Sequence, residues 1–331
     1  MFEEKLLTLH CTSILAPYIC DFVAQKRALG YKYNACIEVF NEFDRFCNKH
    51  NMESPFISQE LLSCWEERRP HENGTTQAIR ISYVRGLCKY LHNNGLDVPY
   101  RFHTVPKRSA EFVPYIFTKD ELARIFLAAD KTPITPSSPI RHLIIPVLFR
   151  LIYTCGLRAS EALRLKICDV DLEQGVITIN GAKGDNDRMV GISDSMLKYM
   201  RDYRSNPLIM SSKSEYFFPA PDGGFYDTST IYEWFRKLLF SAGIPHRGRG
   251  KGPRIHDLRH SFAVHVLNKW SHEGKNIYTC LPVLRVYLGH ARITATEKYL
   301  QLVPEAYSEL TSPFKDRFRN ITEALCNEEN I

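Results

Sequence analysis

Long apolar runs and a secretion signal are missing from this sequence of 331 residues. No uninterrupted hydrophobic stretch approaches the roughly 20 residues that a membrane-spanning helix needs. The N-terminus, MFEEKLLTLHCTS, carries two acidic residues and no basic segment ahead of an apolar stretch, which does not fit a secretory signal. The sequence therefore predicts neither a membrane protein nor a secreted one, and the expected location is the cytoplasm.

Paired cysteine motifs are also missing. No CxxC occurs among the ten cysteines, which lie at positions 11, 20, 36, 47, 64, 88, 155, 168, 280 and 326. This scatter excludes a zinc ribbon or a redox dithiol, and free thiols in a reducing compartment are expected instead. There is no GxxxxGK[ST] loop for nucleotide phosphates. The 17 glycines and 18 prolines are an average share, which excludes a collagen-like or low-complexity chain.

Charge is present in only mild excess. The net charge is +6, from 43 Lys and Arg against 37 Asp and Glu. Positive residues are concentrated between positions 236 and 259, where seven Lys or Arg occur. A run of this kind is usually a solvated face. The charge is therefore compatible with a polyanionic partner, but by itself it does not indicate one.

The first 95 residues show helical periodicity throughout. Apolar residues at helical spacing predict helices over 14–30, 37–47 and 79–91, and a third helix in chain order that begins after Ser58. Prolines at 99, 106 and 114 then interrupt the pattern and predict a linker. Thr118 and Glu121 form a capping box that opens the next helix, so a domain boundary is expected near residue 112.

The second domain is mixed. Segments 176–179 and 189–192 predict a β-hairpin with a long polar tip. Helices are predicted over 140–153, with a bend at Pro146, over 228–241, 257–269, 280–288 and 294–302, and after Ser312-Pro313, where Phe314, Phe318, Ile321 and Leu325 form an apolar stripe. The predicted fold class is mostly α with a small β-sheet.

Four polar segments stand where an apolar core is expected. In TCGLRASEAL, Arg158 follows a glycine turn and opens a helix, so its guanidinium and the free N–H groups face one way, as a phosphate requires. Glu161, one turn further on, is placed to orient this arginine. The second segment is the hairpin tip, where Lys183 stands between small residues. In the third, HDLRHSF, the spacing puts His256 and Arg259 on one helix face.

The fourth segment carries His290 and, nine residues later, Tyr299. Taken singly, each of these residues has an ordinary explanation: a surface arginine, a solvated lysine, a core histidine or a packed tyrosine. Together they form a cationic group with one candidate nucleophile. They lack the carboxylate cluster of a magnesium nuclease, and two guanidiniums suit the charge that develops on a pentavalent phosphorane.

The order of these segments closely resembles the tyrosine recombinase (phage integrase) family. The resemblance rests on TCGLRASEALRL, the hairpin lysine, HDLRHSFAVH and YLGHARITATEKYL, and it covers residues 118–312. It implies a catalytic domain over residues 112–312. The helical residues 1–111 resemble the family's SAM-like core-binding domain with its linker. The helix over 313–331 is expected to be a tail that exchanges between protomers or packs on its own domain.

The resemblance also implies a role for each matching residue. Tyr299 would attack the scissile phosphate and form a 3′-phosphotyrosyl intermediate, while Lys183 would protonate the leaving 5′-oxygen. Arg158, Arg259 and His290 would hold the non-bridging oxygens. His256 would assist the tyrosine proton or bind the phosphate, and Glu161 would support the site. No metal or other cofactor is implied.

The implied partner is double-stranded DNA with inverted-repeat core sites, bound by a homotetramer on two sites, with accessory DNA-bending or directionality proteins as further partners. DNA-binding residues are expected in the linker and in the basic run: Arg101, Lys107, Arg108, Arg247, Arg249, Lys251 and Arg254. The hairpin tip is more acidic than the family usually shows, at Asp185 and Asp187, whereas Arg188 matches an expected basic position.

Three functions remain open at the level of sequence. The first is a recombinase that integrates or excises a mobile element, or that resolves chromosome or plasmid dimers. The second is a relaxer resembling type IB topoisomerases. The third is an architectural DNA-binding protein without catalysis.

Overall fold

The computed structural model describes residues 8–302 except 32, 103–112, 137, 182–186, 247 and 249–251. The chain divides into two compact units, Met1–Val113 and Pro114–Ile331. Three groups of predicted features lie outside the described residues: the tail helix over 313–331, the hairpin lysine Lys183, and five of the expected DNA contacts, Lys107, Arg108, Arg247, Arg249 and Lys251.

All the regular secondary structure in the described part of the first unit is helical. Ser58 caps the third helix as predicted, since its Oγ accepts a hydrogen bond from the Leu61 N–H at 3.1 Å. Asn73 caps the fourth helix in the same way, and this helix begins five residues earlier than its apolar pattern predicts. The helices are α1 (Ala16–Ala28), α2 (Ile37–Lys49), α3 (Gln59–Glu66) and α4 (Gly74–Asn93). They enclose an aromatic core that includes Phe22, Phe40, Phe43 and Trp65.

The second unit contains all three strands seen in the described residues. They form an antiparallel sheet in the order β1–β2–β3, with Ile179 opposite Arg188. The strands are β1 (Val170–Asp171), β2 (Val176–Ile179) and β3 (Arg188–Gly191). The predicted hairpin is therefore present, and the mostly helical fold class with a small sheet is confirmed.

The second unit also contains nine α-helices within the described residues. The predicted capping box is present, because Thr118 Oγ1 accepts from the Glu121 N–H while Glu121 Oε2 accepts from the Thr118 N–H at 2.8 Å. The helices are α5 (Lys119–Asp130), α6 (Arg141–Thr154), α7 (Ala159–Leu163), α8 (Asp194–Arg204), α9 (Pro207–Met210), α10 (Thr228–Ser241), α11 (Ile255–His272), α12 (Ile277–Leu288) and α13 (Thr294–Glu297).

Two sequence predictions differ from the structure. Helix α8 was not predicted, because its many charged residues hid the apolar pattern. Its buried residues Met196, Leu197, Met200 and Tyr203 nevertheless recur at helical spacing. The single helix predicted over 294–302 is wrong. It breaks after α13 into a separate 3₁₀ turn at Leu300–Leu302. β-branched residues in this segment disfavour a continuous helix, and the break leaves Tyr299 buried between the two pieces.

The core of the second unit has two parts. The larger part joins α5, α6, α10 and the sheet. The smaller part joins α11 and α12, and it includes Tyr299 with Val264, Leu284 and Leu288. The candidate nucleophile therefore lies at the edge of an apolar cluster, which fixes the position of its ring.

Candidate active site

A glycine turn brings the first arginine to the site. Gly156 has φ of +58°, and a Cβ at this position would lie 2.5 Å from Cδ1 of Phe262, so the turn needs glycine for both conformation and space. The chain then enters α7 with Arg158 as its N-cap. The carbonyl of Gly156 accepts a hydrogen bond from Nη1 of Arg259 at 2.8 Å, so the same turn also holds the second arginine.

Glu161 lies at the centre of the cationic cluster. Its carboxylate accepts from Nη1 of Arg158 at 2.6 Å and from both terminal nitrogens of Arg188, at 2.9 and 3.1 Å. Nη1 of Arg259 lies 3.8 Å from Oε2. Burial works to raise the pKa of Glu161, but the hydrogen bonds from Arg188 and Arg158 outweigh burial and lower it to about 2. One buried carboxylate therefore binds three guanidiniums.

The end of α12 provides the opposite wall. Its last carbonyls accept from the same three arginines: Tyr287 O from Arg188 at 2.8 Å, Leu288 O from Arg259 at 2.5 Å, and Gly289 O from Arg158 at 3.1 Å. These carbonyls have no partner within the helix and carry the negative end of its dipole, so they favour cations. Gly289 closes α12 with φ of +65°, in the left-handed conformation of a C-cap.

Arg259 is almost fully enclosed, with 1% of its surface exposed. Burial and the nearby charge of Arg158 lower its pKa to about 10, so it stays cationic at neutral pH. The side chain of Arg158 is 21% exposed. The arginine pair therefore consists of one interior cation and one that reaches solvent.

His290 follows the turn at Gly289. Its Nδ1 lies 2.9 Å from Oγ1 of Thr296, and its ring stacks near that of Tyr299, with centroids 6.2 Å apart. Burial, together with the positive charges of Arg259 and Arg158, lowers the pKa of His290 to about 4. The ring is therefore neutral at pH 7 in this structure.

Tyr299 is 3% exposed, and its hydroxyl lies 2.9 Å from Nδ1 of His260. Burial raises the pKa of Tyr299, and the positive charges of Arg259 and Arg158 partly offset this rise. The rings of His260 and His256 meet edge to face with centroids 4.6 Å apart, and His256 is the more exposed of the two. The sequence analysis gave His260 no role, although it lies inside the HDLRHSF segment.

The structure brings together five of the six predicted catalytic positions, Arg158, His256, Arg259, His290 and Tyr299, with Glu161 beside them; the sixth, Lys183, lies outside the described residues. Arg188, expected only as a basic position, is a buried member of the cluster, with 5% of its side chain exposed. In the sequence, Arg188 was noted only as the basic residue that directly precedes the predicted strand 189–192, and the structure includes it in β3.

Two expected DNA contacts can be located. Arg254 is the N-cap of α11, and its backbone N–H donates to Asp257 at 2.7 Å. The side chain of Arg254 is 41% exposed, which leaves it accessible to a second anion. Arg101, in the first unit, is exposed, and its carbonyl accepts from Gln59 at 3.4 Å.

Within the described part of the chain, no group of three His, Cys, Asp or Glu side chains is arranged to hold a metal ion. In that same part, no helix combines the length and the apolar character needed to cross a bilayer.

Comparison with known proteins places this site in a family. The sequence model of the phage integrase family matches residues 116–305. A Sinorhizobium fredii protein named as an integrase/recombinase is 30% identical over 314 residues, covering 90% of this chain and 97% of that protein. Tyrosine recombinase XerD of Proteus mirabilis is 29% identical over 236 residues, covering 70% of this chain and 69% of that protein.

Solved structures show the same fold. The XerH site-specific recombinase bound to palindromic difH substrate matches with a TM-score of 0.62 at 22% identity, covering 84% of this chain and 78% of that chain. The Tn1549 transposon integrase in complex with transposon right end DNA matches with a TM-score of 0.62 at 15% identity, covering 87% of this chain and 94% of that chain. With the family match over most of the second unit, these findings show that the chain belongs to the phage integrase family of tyrosine recombinases and is a site-specific DNA recombinase.

Proposed function

We propose that this protein cuts and rejoins DNA through a covalent 3′-phosphotyrosyl intermediate at Tyr299. The observation that supports this most strongly is the charge balance beside the tyrosine. Three guanidiniums, of Arg158, Arg188 and Arg259, face one carboxylate, so these four side chains carry a net charge of +2. A phosphodiester is the complementary ligand, and the charge that grows on its non-bridging oxygens is stabilised by this cationic cluster, of which Arg158 is the member that reaches solvent.

The steps follow from the chemistry of the side chains. The Tyr299 oxygen attacks phosphorus, the bond to the 5′-oxygen breaks, and the leaving oxygen takes a proton from Lys183. Arg158, Arg259 and His290 donate hydrogen bonds to the non-bridging oxygens, and His256 binds the phosphate or assists proton transfer. Religation reverses these steps. The phosphotyrosine conserves the energy of the broken bond, so ligation needs neither ATP nor a metal.

The substrate we propose is double-stranded DNA with inverted-repeat core sites, bound by four protomers on two sites with accessory proteins. Two of the related structures are described as complexes with DNA, one of them palindromic. Arg101, Lys107, Arg108, Arg247, Arg249, Lys251 and Arg254 are the proposed phosphate contacts, which makes affinity fall steeply with salt. The biological role is either movement of a mobile element or resolution of chromosome or plasmid dimers.

Covalent capture tests this function. The protein is mixed with fragments of its source genome in EDTA and quenched with SDS, and the DNA that partitions with protein is sequenced. Adducts at one discrete inverted repeat are expected. Their position, at the border of a mobile element or at a chromosomal locus, decides between the two biological roles. Binding with no adduct at any fragment would favour an architectural protein, and relaxation of a plasmid that lacks the repeat would favour a relaxer.

Removing the tail tests the proposed assembly. Residues 313–331 carry the apolar stripe after Ser312-Pro313, and exchange of this segment between protomers would join them. Truncation after residue 312 is expected to weaken synapsis of two sites more than occupancy of one site, as measured by gel shift and by sedimentation on DNA. Unchanged tetramer formation after truncation would show that the tail packs on its own domain.

A further inference from the structure

The hydrogen bond between His260 and Tyr299 points to a role for His260 in the cleavage reaction. Nδ1 of His260 lies 2.9 Å from the hydroxyl oxygen that would attack phosphorus. No polar contact between His256 and Tyr299 is found among the described residues, and the ring of His256 packs instead against the ring of His260. Of the two histidines, His260 is therefore the one in contact with the reacting oxygen; Arg259 also bonds this hydroxyl, but it is cationic at neutral pH and cannot take the proton.

We propose that His260 is the general base that accepts the proton of Tyr299 as the phosphotyrosyl bond forms, and that it returns this proton on religation. In the forward step the O–H bond of Tyr299 breaks, its electron pair forms the bond to phosphorus, and the proton moves to Nδ1 of His260. The 5′-oxygen leaves with a proton from Lys183, so charge and atoms balance. This inference rests on the proposed function.

Local packing supports the assignment. The ring of His260 is half-buried on α11, and the ring of Tyr299 is held in the apolar cluster with Ala263 and Val264 from the same helix. A general base must lie within hydrogen-bond reach of the proton that it takes, and the distance of 2.9 Å meets this condition before DNA binds.

The electrostatic surroundings keep the imidazole neutral. The titratable and charged groups that face His260 are Arg254, His256 and Arg259 on its own helix, and His290 and Tyr299 from the segment after α12. Burial and the charges of Arg254 and Arg259 lower the pKa of His260 to about 4, so a proton acceptor is available at neutral pH. A bound phosphodiester brings negative charge that offsets these arginines and strengthens the base.

The first test is the tautomer of the wild-type ring. A general base must present an unprotonated Nδ1 to the phenol and carry its proton on Nε2. The ¹⁵N chemical shifts of His260 are expected to show this tautomer in the full chain, with a change in the Nδ1 shift on Tyr299→Phe. A proton found on Nδ1 in the wild type would overturn the proposal, because the ring would then donate to the phenol oxygen.

The second test is the pH dependence of cleavage. The substrate is the captured DNA site, nicked near the cleavage point so that the leaving segment is lost and religation cannot occur. His260→Gln is expected to slow adduct formation at neutral pH by about 10²–10⁴, the usual contribution of a general base. Its rate should then rise tenfold per pH unit as hydroxide replaces the base, while the wild-type rate stays level. A variant that is slow with the wild-type pH profile would show that His260 only packs.

The chain offers a matched control on the same helix. Nδ1 of His265 lies 2.9 Å from the hydroxyl of Tyr153, so His265→Gln breaks the same type of bond away from the site. We expect wild-type cleavage from this variant. His256→Gln should slow cleavage without making its rate depend on pH. If the pH dependence appears in His256→Gln and not in His260→Gln, His256 is the general base.

A modified substrate separates base from acid. A sulfur at the 5′-bridging position leaves without needing a proton, so it should restore cleavage to Lys183→Ala but not to His260→Gln. If the wild type forms no adduct on any DNA, the proposed function fails. If the wild type forms the adduct and His260→Gln matches its rate, only the role of His260 fails.

Discussion

Replacing Tyr299 with phenylalanine is expected to abolish the covalent protein–DNA adduct completely while DNA binding is retained. The substitution removes one hydroxyl and leaves the ring, which is 97% buried in the cluster formed by α11 and α12. The lost hydrogen bond to His260 is worth about 1 kcal/mol of stability, too little to unfold the domain. The attacking oxygen is gone, however, and no neighbouring group takes its place on phosphorus. The measurement is the SDS-resistant adduct on the nicked site, beside a gel shift for binding.

Tyr153→Phe is the matched control for this experiment. It removes a hydroxyl that lies 2.9 Å from Nδ1 of His265. His265 is on α11, as His260 is, and the distance equals that between Tyr299 and His260. Adduct formation should be unaffected, so that loss of a tyrosine–histidine bond is separated from loss of the nucleophile. An adduct at the wild-type level in Tyr299→Phe would mean that another residue attacks the phosphate.

Much of the fold could be predicted because its signals are local. Ser58 and the Thr118–Glu121 pair contact backbone groups within three residues, and the sequence alone displays that spacing. The hairpin was predictable for the same reason, because its strands are rich in β-branched residues and glycines lie in the segment between them. Helix α8 was missed because charged residues dominate its composition, although its buried positions recur at helical spacing. The break after α13 depends on the burial of Tyr299, which is a tertiary effect.

The candidate site was predictable in its residues but not in its connections. The order of motifs identified the arginines, the histidines and the tyrosine. The carbonyls of Tyr287, Leu288 and Gly289 carry no side-chain signal, yet they position three arginines that lie 29 to 131 residues away along the chain. His260 was overlooked because its partner Tyr299 lies 39 residues further on. Contacts of this length depend on how α11 and α12 pack, and no local pattern encodes that packing.

Glu161→Gln is expected to destabilise the second unit by about 3–5 kcal/mol, the usual cost of removing one partner from a buried ion pair. The carboxylate side chain is 6% exposed and lies against Arg158, Arg188 and Arg259. Glutamine keeps the volume but loses the charge, and its amide N–H groups face guanidinium donors. The three cations then repel one another without compensation. The free energy of unfolding in urea measures the loss, and the cleavage rate should fall with it because Arg158 and Arg259 lose their fixed positions.

The pH dependence of that loss identifies its cause. The pKa of Glu161 is lowered from 4.5 to about 2 in the folded protein, so its stabilisation is complete above pH 4.5 and disappears as the pH falls toward 2. The difference in unfolding free energy between the wild type and Glu161→Gln should therefore shrink below pH 4.5.

Asp130→Asn is the control, because Asp130 also pairs with an arginine at two distances of 2.7 Å, but its side chain is 42% exposed. Removing this exposed partner should cost about 1 kcal/mol or less. Equal losses at the two positions would show that burial of Glu161 among three guanidiniums adds nothing to stability. A larger, acid-sensitive loss at Glu161 alone would show that this one carboxylate stabilises the cluster of Arg158, Arg188 and Arg259.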